Sequence, residues 1–171
     1  MAAQAIRRNK QDDPAYTCQH VCIEPFEAPW LEKLGIQVMR TLVEEVNADL
    51  FASLNANDIL FIDSSHIIRP QGDVLAEYLD ILPLLKPGVW VHVHDVFSPR
   101  DYPKEWIVDA VRFWNEQYLL EAFLSYNSQF KVIGALNFLK HHYPAELTGK
   151  CPVLAQQMAS CEPASLWMQR R

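Results

Sequence analysis

The run Ile59-Leu60-Phe61-Ile62 is apolar without a break and ends on Asp63-Ser64-Ser65-His66. A short run with no polar alternation predicts a strand buried on both faces, as in a parallel sheet covered by helices. Val89 to His94 does alternate, with valines at 89, 91 and 93 on one face and Trp90, His92 and His94 on the other; it ends on Asp95. Between the two runs, residues 73–85 carry Val74, Leu75, Tyr78, Leu79, Leu82 and Leu85 on one stripe, which predicts an amphipathic helix stopped by Lys86-Pro87-Gly88. The unit is strand–helix–strand, so both strands end side by side. In open α/β sheets the carboxyl ends of neighbouring strands are where ligands bind. Asp63, His66, His92, His94 and Asp95 are therefore expected to meet.

The same reading extends along the chain. Residues 1–9 favour helix by propensity. Val21-Cys22-Ile23 reads as a buried strand closed by Glu24-Pro25, residues 28–34 as a short helix stopped by Gly35, residues 36–39 as a strand, and residues 48–54 as a helical turn. Pro103 opens a long helical stretch, bent or broken, to about Ser125, with Trp106, Ile107, Ala110, Val111 and Trp114 at helical spacing. Residues 130–138 and 165–168 read as the last strands, an antiparallel pair at the edge. The predicted fold class is α/β: a three-layer α/β/α sandwich, mostly parallel with an antiparallel C-terminal edge. It forms one domain over residues 1–171, with 1–20 as helix end and linker and 141–163 as an irregular insertion.

Composition narrows the function. The chain has 171 residues, 50% of them hydrophobic, with net charge −6. That is enough for a real core, and no Lys/Arg run is long enough to grip a phosphate backbone, which argues against nucleic acid. No apolar stretch is long enough for a membrane span, and the N-terminus lacks a signal-peptide core, so a cytoplasmic location is expected. The 4 cysteines make no disulfide framework. Cys18, His20 and Cys22 alternate, but not at a common zinc spacing, and Cys22 falls in an apolar strand, which favours a buried thiol over a metal clip.

Each acidic or imidazole group admits a plain and a chemical reading. Glu24, at a strand end, either caps a turn or accepts the hydroxyls of a ribose. Asp63 is either a turn acid or a ligand for a hard cation and substrate-positioning base. His66 titrates near neutrality, which suits a general base. His92 lies deeper and reads as a hydrogen-bonded core histidine, whereas His94 and Asp95 sit level with Asp63. The acid pair is suited to Mg²⁺ or Mn²⁺ with positions open for substrate oxygens. The loop Phe97 to Tyr102 covers the site, and there Arg100 and Tyr102 either touch substrate or order the loop.

Cys22-Ile23-Glu24-Pro25, Ile62-Asp63-Ser64-Ser65-His66, and Leu85-Lys86-Pro87-Gly88 leading to His94-Asp95, taken in this order and spacing, resemble the class I S-adenosylmethionine-dependent methyltransferases. The closest branch carries an I-D-x-x-H motif and a strand ending in His-Asp, and Ser165 to Arg170 is similar to its last strand. The resemblance implies a Rossmann-like seven-stranded sheet, Glu24 on the cofactor ribose, Asp63 beside the methionine moiety and acceptor, and His66 as a catalytic or substrate-contacting residue. It also implies a divalent cation at the ends of strands four and five, where this chain has Asp63, His94 and Asp95.

Set against that pattern, residues 1–9 read as the helix that follows the first strand and glycine-rich loop, so the sheet is expected to be N-terminally truncated. None of the 5 glycines precedes Gly35. The function expected is S-adenosylmethionine-dependent oxygen methylation of a small-molecule acceptor. The alternatives are a non-catalytic remnant acting as an interaction module, self-associating through unpaired sheet edges, and a metal-dependent hydrolase built on the Asp63/His66/His94/Asp95 cluster.

Overall fold

The computed structural model describes residues 2–26 and 28–171. Met1, in the predicted first helix, lies outside the described residues. The fold is α/β/α and Rossmann-like. Its first strand pairs are parallel and its C-terminal edge is antiparallel. The chain divides into two compact units, residues 1–46 and 47–171. No helix among the described residues is long and apolar enough to cross a membrane.

Unit one holds α1 (Ala2–Asp12), β1 (Val21–Ile23) and β2 (Gln37–Met39). The two strands pair in parallel, Cys22 opposite Val38. The connection between them contains a 3-10 turn, Leu31–Leu34, which Gly35 stops in the left-handed conformation at φ 70°. Glycine takes that conformation without the steric penalty a side chain would bring.

Unit two holds α2 (Asp49–Ala52), β3 (Ile59–Ile62), β4 (Trp90–His94), β5 (Phe130–Ala135) and β6 (Ser165–Arg170), the strands lying in the order β3-β4-β6-β5. β3 and β4 are parallel, with Ile62 opposite Val93. A helix must therefore cross over between them. It begins as α3 (Asp73–Leu75), continues as a π-helical stretch (Ala76–Ile81) and ends as a 3-10 turn (Leu82–Leu84). The wider π turn alters the predicted stripe. Val74, Tyr78, Leu82 and Leu85 are buried as expected, but Leu79 turns out to 58% exposure, and Glu77 and Ile81 turn in.

The core is one apolar cluster. Val89, Val91 and Val93 have no exposed surface, and they pack with Ile62, Tyr78, Leu82, Leu120, Leu166 and Met168. The alternation in β4 thus sorts core from rim as the sequence pattern requires. β3 departs from its prediction. Leu60 packs against the core and Ile62 is buried in it, but Ile59 is 58% and Phe61 53% exposed. β3 is the end strand of the four-stranded sheet, and its outward residues are covered only in part, Phe61 by the edge of His92 at 4.6 Å.

The stretch after Pro103 is broken, not continuous. A π-helical turn (Glu105–Asp109) is followed by irregular chain, and α4 (Glu116–Leu124) starts only later. The strand expected over residues 130–138 ends at Ala135, where α5 (Leu136–His142) begins, and the last strand runs on to Arg170. The segment read as irregular contains α6 (Pro144–Lys150) and α7 (Pro152–Ala155); in each the proline occupies the first turn, where no backbone donor is lost. Leu82 reaches into the centre of the core, so Leu82→Ala should lower the unfolding free energy by about 2–5 kcal/mol, read from the midpoint and slope of urea unfolding.

Candidate functional site

β3 and β4 deliver Asp63 and Asp95 to the same edge because their registers are aligned and each strand ends one residue earlier. The loop after Asp63 folds His66 back over that edge. His66 and Asp95 both adopt the left-handed backbone conformation, at φ 60° and 53°. Residues with side chains rarely hold it unless the surroundings enforce it, and such strain gathers at functional sites. The enforcement on the His66 loop is visible. Ser65 donates from its backbone N–H and its hydroxyl to Asp73 at 2.8 and 2.7 Å, and the His66 carbonyl accepts from the N–H groups of Asn115 and Glu116 at 2.9 and 3.2 Å.

One oxygen or nitrogen from each of Asp63, His66 and Asp95 lies within 4.8 Å of the others. His66 Nε2 is 3.5 Å from Asp63 Oδ1 and 3.9 Å from Asp95 Oδ2. Its Nδ1 is 2.7 Å from Glu116 Oε2, and the other oxygen of Glu116 accepts the Tyr78 hydroxyl at 2.9 Å. His94 stands at the rim, its Nδ1 2.9 Å from Asp95 and 3.7 Å from Asp63. Two carboxylates and an imidazole form a donor set that suits a divalent cation.

The electrostatics follow from this crowding. Burial works against a charged imidazole, yet the hydrogen bonds to Asp63 and Glu116 and the nearby charges of Glu116 and Asp95 lift His66 to about 9. His66 is therefore an imidazolium at neutral pH, and its hydrogen bond holds the Asp63 carboxyl below its ordinary range. It is the positive charge among three acids. His92 behaves otherwise. Burial pushes it down to about 4, with the His94 charge acting in the same direction. Its Nε2 is buried without a hydrogen-bond partner, and the ring stacks on Trp167 at 4.4 Å. It is a neutral, stacked histidine, not the hydrogen-bonded one expected.

The loop residues order the loop. The Tyr102 hydroxyl accepts from the Gln117 N–H at 3.0 Å, and the Arg100 carbonyl accepts from Gln117 Nε2 at 2.7 Å. Gln117 Oε1 also accepts the Phe97 N–H at 2.7 Å. Asn115, Glu116 and Gln117 thus bind both loops around the site, although the sequence analysis singled out none of them. A run of three polar residues opening an otherwise apolar helix was the signal available. Trp114, which the sequence places at helical spacing after Pro103, lies against the His66 ring at 4.3 Å.

In unit one, Glu24 follows β1, and its carboxylate accepts the Phe26 N–H at 3.0 Å, which fixes the acid at the strand end. Arg40, just after β2, donates to the Glu24 carbonyl at 3.1 Å and to Glu32 at 2.7 Å. An open cavity of about 560 Å³ is lined by Phe26, Pro29, Glu32, Lys33 and Arg40, beyond the carboxyl ends of both strands. Cys18, His20 and Cys22 form no metal-binding group among the described residues, and burial raises the Cys22 thiol.

A family model described as a methyltransferase domain matches residues 1–96, more than half of the chain. No curated protein and no solved structure gives a significant match. The matched region contains Glu24, Asp63, His66, His94 and Asp95 and stops before α4.

Glu77 gives a test of the electrostatics. It is buried beside Glu116 and accepts the Ser64 hydroxyl at 2.9 Å. Burial first, then the Glu116 charge, raises it to about 8. The folded protein thus keeps a proton that the unfolded chain releases near pH 4.5, so this group's contribution is intact at low pH and is lost as pH rises through about 8. Glu77→Gln should shrink the difference in melting temperature between pH 5 and pH 8.5. An unchanged difference would show that Glu77 ionises normally.

Proposed function

From the premise that this chain belongs to the methyltransferase-domain family, we propose that it is an S-adenosylmethionine-dependent methyltransferase acting on a hydroxyl of a small-molecule acceptor. The observation that carries the reading is the convergence of Asp63, His66 and Asp95 at the ends of two parallel strands. The strand-end position of Glu24 and the adjoining cavity support a second, nucleoside-binding element, with Glu24 accepting the ribose hydroxyls.

The donor set fits a divalent cation, Mg²⁺ or Mn²⁺, held by Asp63, Asp95 and the Nε2 of His66, with His94 at the rim. When bound, such a cation supplies Lewis-acid charge that favours the ionised acceptor oxygen. The chain's own groups do the remaining work. Asp63, the more exposed acid, would face the acceptor hydroxyl and take its proton as the oxygen ionises. With no cation bound, His66 supplies the positive charge at this edge, because its hydrogen bonds to Asp63 and Glu116 stabilise the charged form; with a cation bound, its Nε2 would instead be a neutral donor. The loop bound by Gln117 is held in a fixed shape beside this edge. Catalysis is then chiefly positioning and charge complementarity.

A second reading has one observation in its favour. Ile59 and Phe61, on the end strand of the sheet, are more than half exposed, as a self-associating interaction module requires. Sedimentation separates the two: mass that rises with concentration, without cofactor binding, supports the module.

Isothermal titration of the full chain with S-adenosylmethionine should show stoichiometric binding, and a well-folded sample that binds none overturns the enzyme reading. Asp63→Asn and Asp95→Asn should each cut methyl transfer by roughly 10²-fold or more, and Asp95→Asn should leave cofactor affinity nearly unchanged. Chelator should lower the rate, and added Mn²⁺ should restore it.

A further inference from the structure

The structure assigns Glu116 as the positioning residue of the site: its buried carboxylate, anchored by Tyr78, holds His66 by Nδ1 and so presents Nε2 to Asp63 and Asp95. This inference rests on the reading of Asp63, His66 and Asp95 as the chemical centre. It adds a residue that neither the motifs nor the matched family region contains, since that region ends at residue 96.

The geometry leaves Glu116 little other employment. Its side chain has no exposed surface, and it opens α4, fifty positions away from His66 in sequence. One oxygen accepts the Tyr78 hydroxyl at 2.9 Å, and Tyr78 is itself fully buried. The other is 2.7 Å from His66 Nδ1. A buried carboxylate is costly unless its lone pairs are engaged, and here both oxygens are. The backbone makes a second connection between the same residues, because the Glu116 N–H donates to the His66 carbonyl at 3.2 Å. Side chain and main chain of one residue thus fix both the ring and the strained backbone of His66.

The chemical consequence is the placement of a proton. A carboxylate can only accept, so Nδ1 must carry a hydrogen. Nε2 is then the nitrogen left to face Asp63 and Asp95, and the one whose lone pair a cation would take in place of the proton. A ring nitrogen held by a carboxylate while the other serves the site is the arrangement by which outer groups orient imidazole ligands. Tyr78 makes the demand for a carboxylate stricter. An amide at position 116 has a single acceptor oxygen for two donors. If Tyr78 takes it, the amide NH₂ faces Nδ1, the hydrogen moves to Nε2, and the lone pair points the wrong way.

The experiment uses the full chain labelled with ¹⁵N-histidine. In the unsubstituted protein a strongly downfield Nδ1–H proton is expected for His66, assigned by its loss in His66→Gln. Glu116→Gln should remove or greatly shift that signal. It should also weaken Mn²⁺ binding by roughly 10–100-fold, with the circular dichroism spectrum retained. Tyr78→Phe leaves the carboxylate in place, so the signal should persist at a shifted position even if Glu116→Gln folds poorly. In Glu116→Gln/Tyr78→Phe the amide oxygen is released to accept from Nδ1–H, and part of the Mn²⁺ affinity should return; a purely structural role gives no such recovery. Absence of the downfield proton in the unsubstituted protein, or its persistence unchanged in Glu116→Gln, overturns the assignment. If the downfield proton behaves as expected but the unsubstituted protein binds neither Mn²⁺ nor S-adenosylmethionine, the positioning of His66 stands and the methyltransferase reading fails.

Discussion

The arrangement of unit two depends on the need to satisfy a run of three polar residues, of which Glu116 and Gln117 are shut away from water and Asn115 is half-buried. Asn115, Glu116 and Gln117 open α4 on its packed side, and the last two have essentially no exposed surface. An unsatisfied buried polar group costs about 1–3 kcal/mol, so partners must be brought to them. Asn115 accepts the Ile68 N–H at 2.6 Å, Glu116 takes His66 and Tyr78, and Gln117 takes Phe97, Arg100 and Tyr102. These contacts hold the loop after β3 and the loop after β4 to a single helix turn. Both site loops thereby acquire a fixed shape although neither has regular structure.

Charge imposes a second condition on the same place. Asp63, Asp95 and Glu116 converge on one imidazole, and Glu77 lies close by. Four acids cannot all ionise in a partly buried site without a compensating positive charge. The protein meets this by holding His66 as an imidazolium and by keeping Glu77 protonated well above the ordinary carboxyl range. A divalent cation would meet the same requirement. The site is therefore built around one position that calls for positive charge, which is also what the transfer of a methyl group to an ionising hydroxyl calls for.

Much of this was legible in the residues. Strand ends bearing Asp63 and Asp95 follow from apolar runs closed by turn residues. Their juxtaposition follows from a crossover helix too short to carry the second strand anywhere but beside the first. The valine alternation in β4 named the core face residue by residue. The Pro87-Gly88 pair was readable as a helix stop because proline cannot continue a helix and glycine takes a positive φ freely; Gly88 does sit at φ 89°, with Ala56 so near that an added Cβ would come within 2.6 Å of it. What was not legible has equally physical causes. A helical period of 3.6 puts Leu79 inward, but the π stretch widens the turn and buries Glu77 in its place. An unbroken apolar strand reads as covered on both faces, yet Ile59 and Phe61 stay half open, because they share the face of β3 opposite Leu60 and Ile62 and that face is covered only in part. Nor does polarity alone tell a solvated helix start from a buried one, so Asn115, Glu116 and Gln117 gave no sign of their partners.

Periodicity and turn chemistry between near neighbours were enough to place the strands in order along the chain, the crossover helix between β3 and β4, the face of β4 that enters the core, and the acids that end both strands. The sequence also determined that His66 would stand near those acids, three residues beyond one of them. The tertiary structure alone decided what His66 is. Its charge is supported by Asp63, Glu116 and Asp95 together, and its ring orientation and strained backbone by Glu116 and Asn115, which reach it only when α4 packs onto the sheet. Hydrogen bonds between residues so far apart in the chain leave no periodic trace in it, and the state of an ionisable group depends on the groups that fold around it.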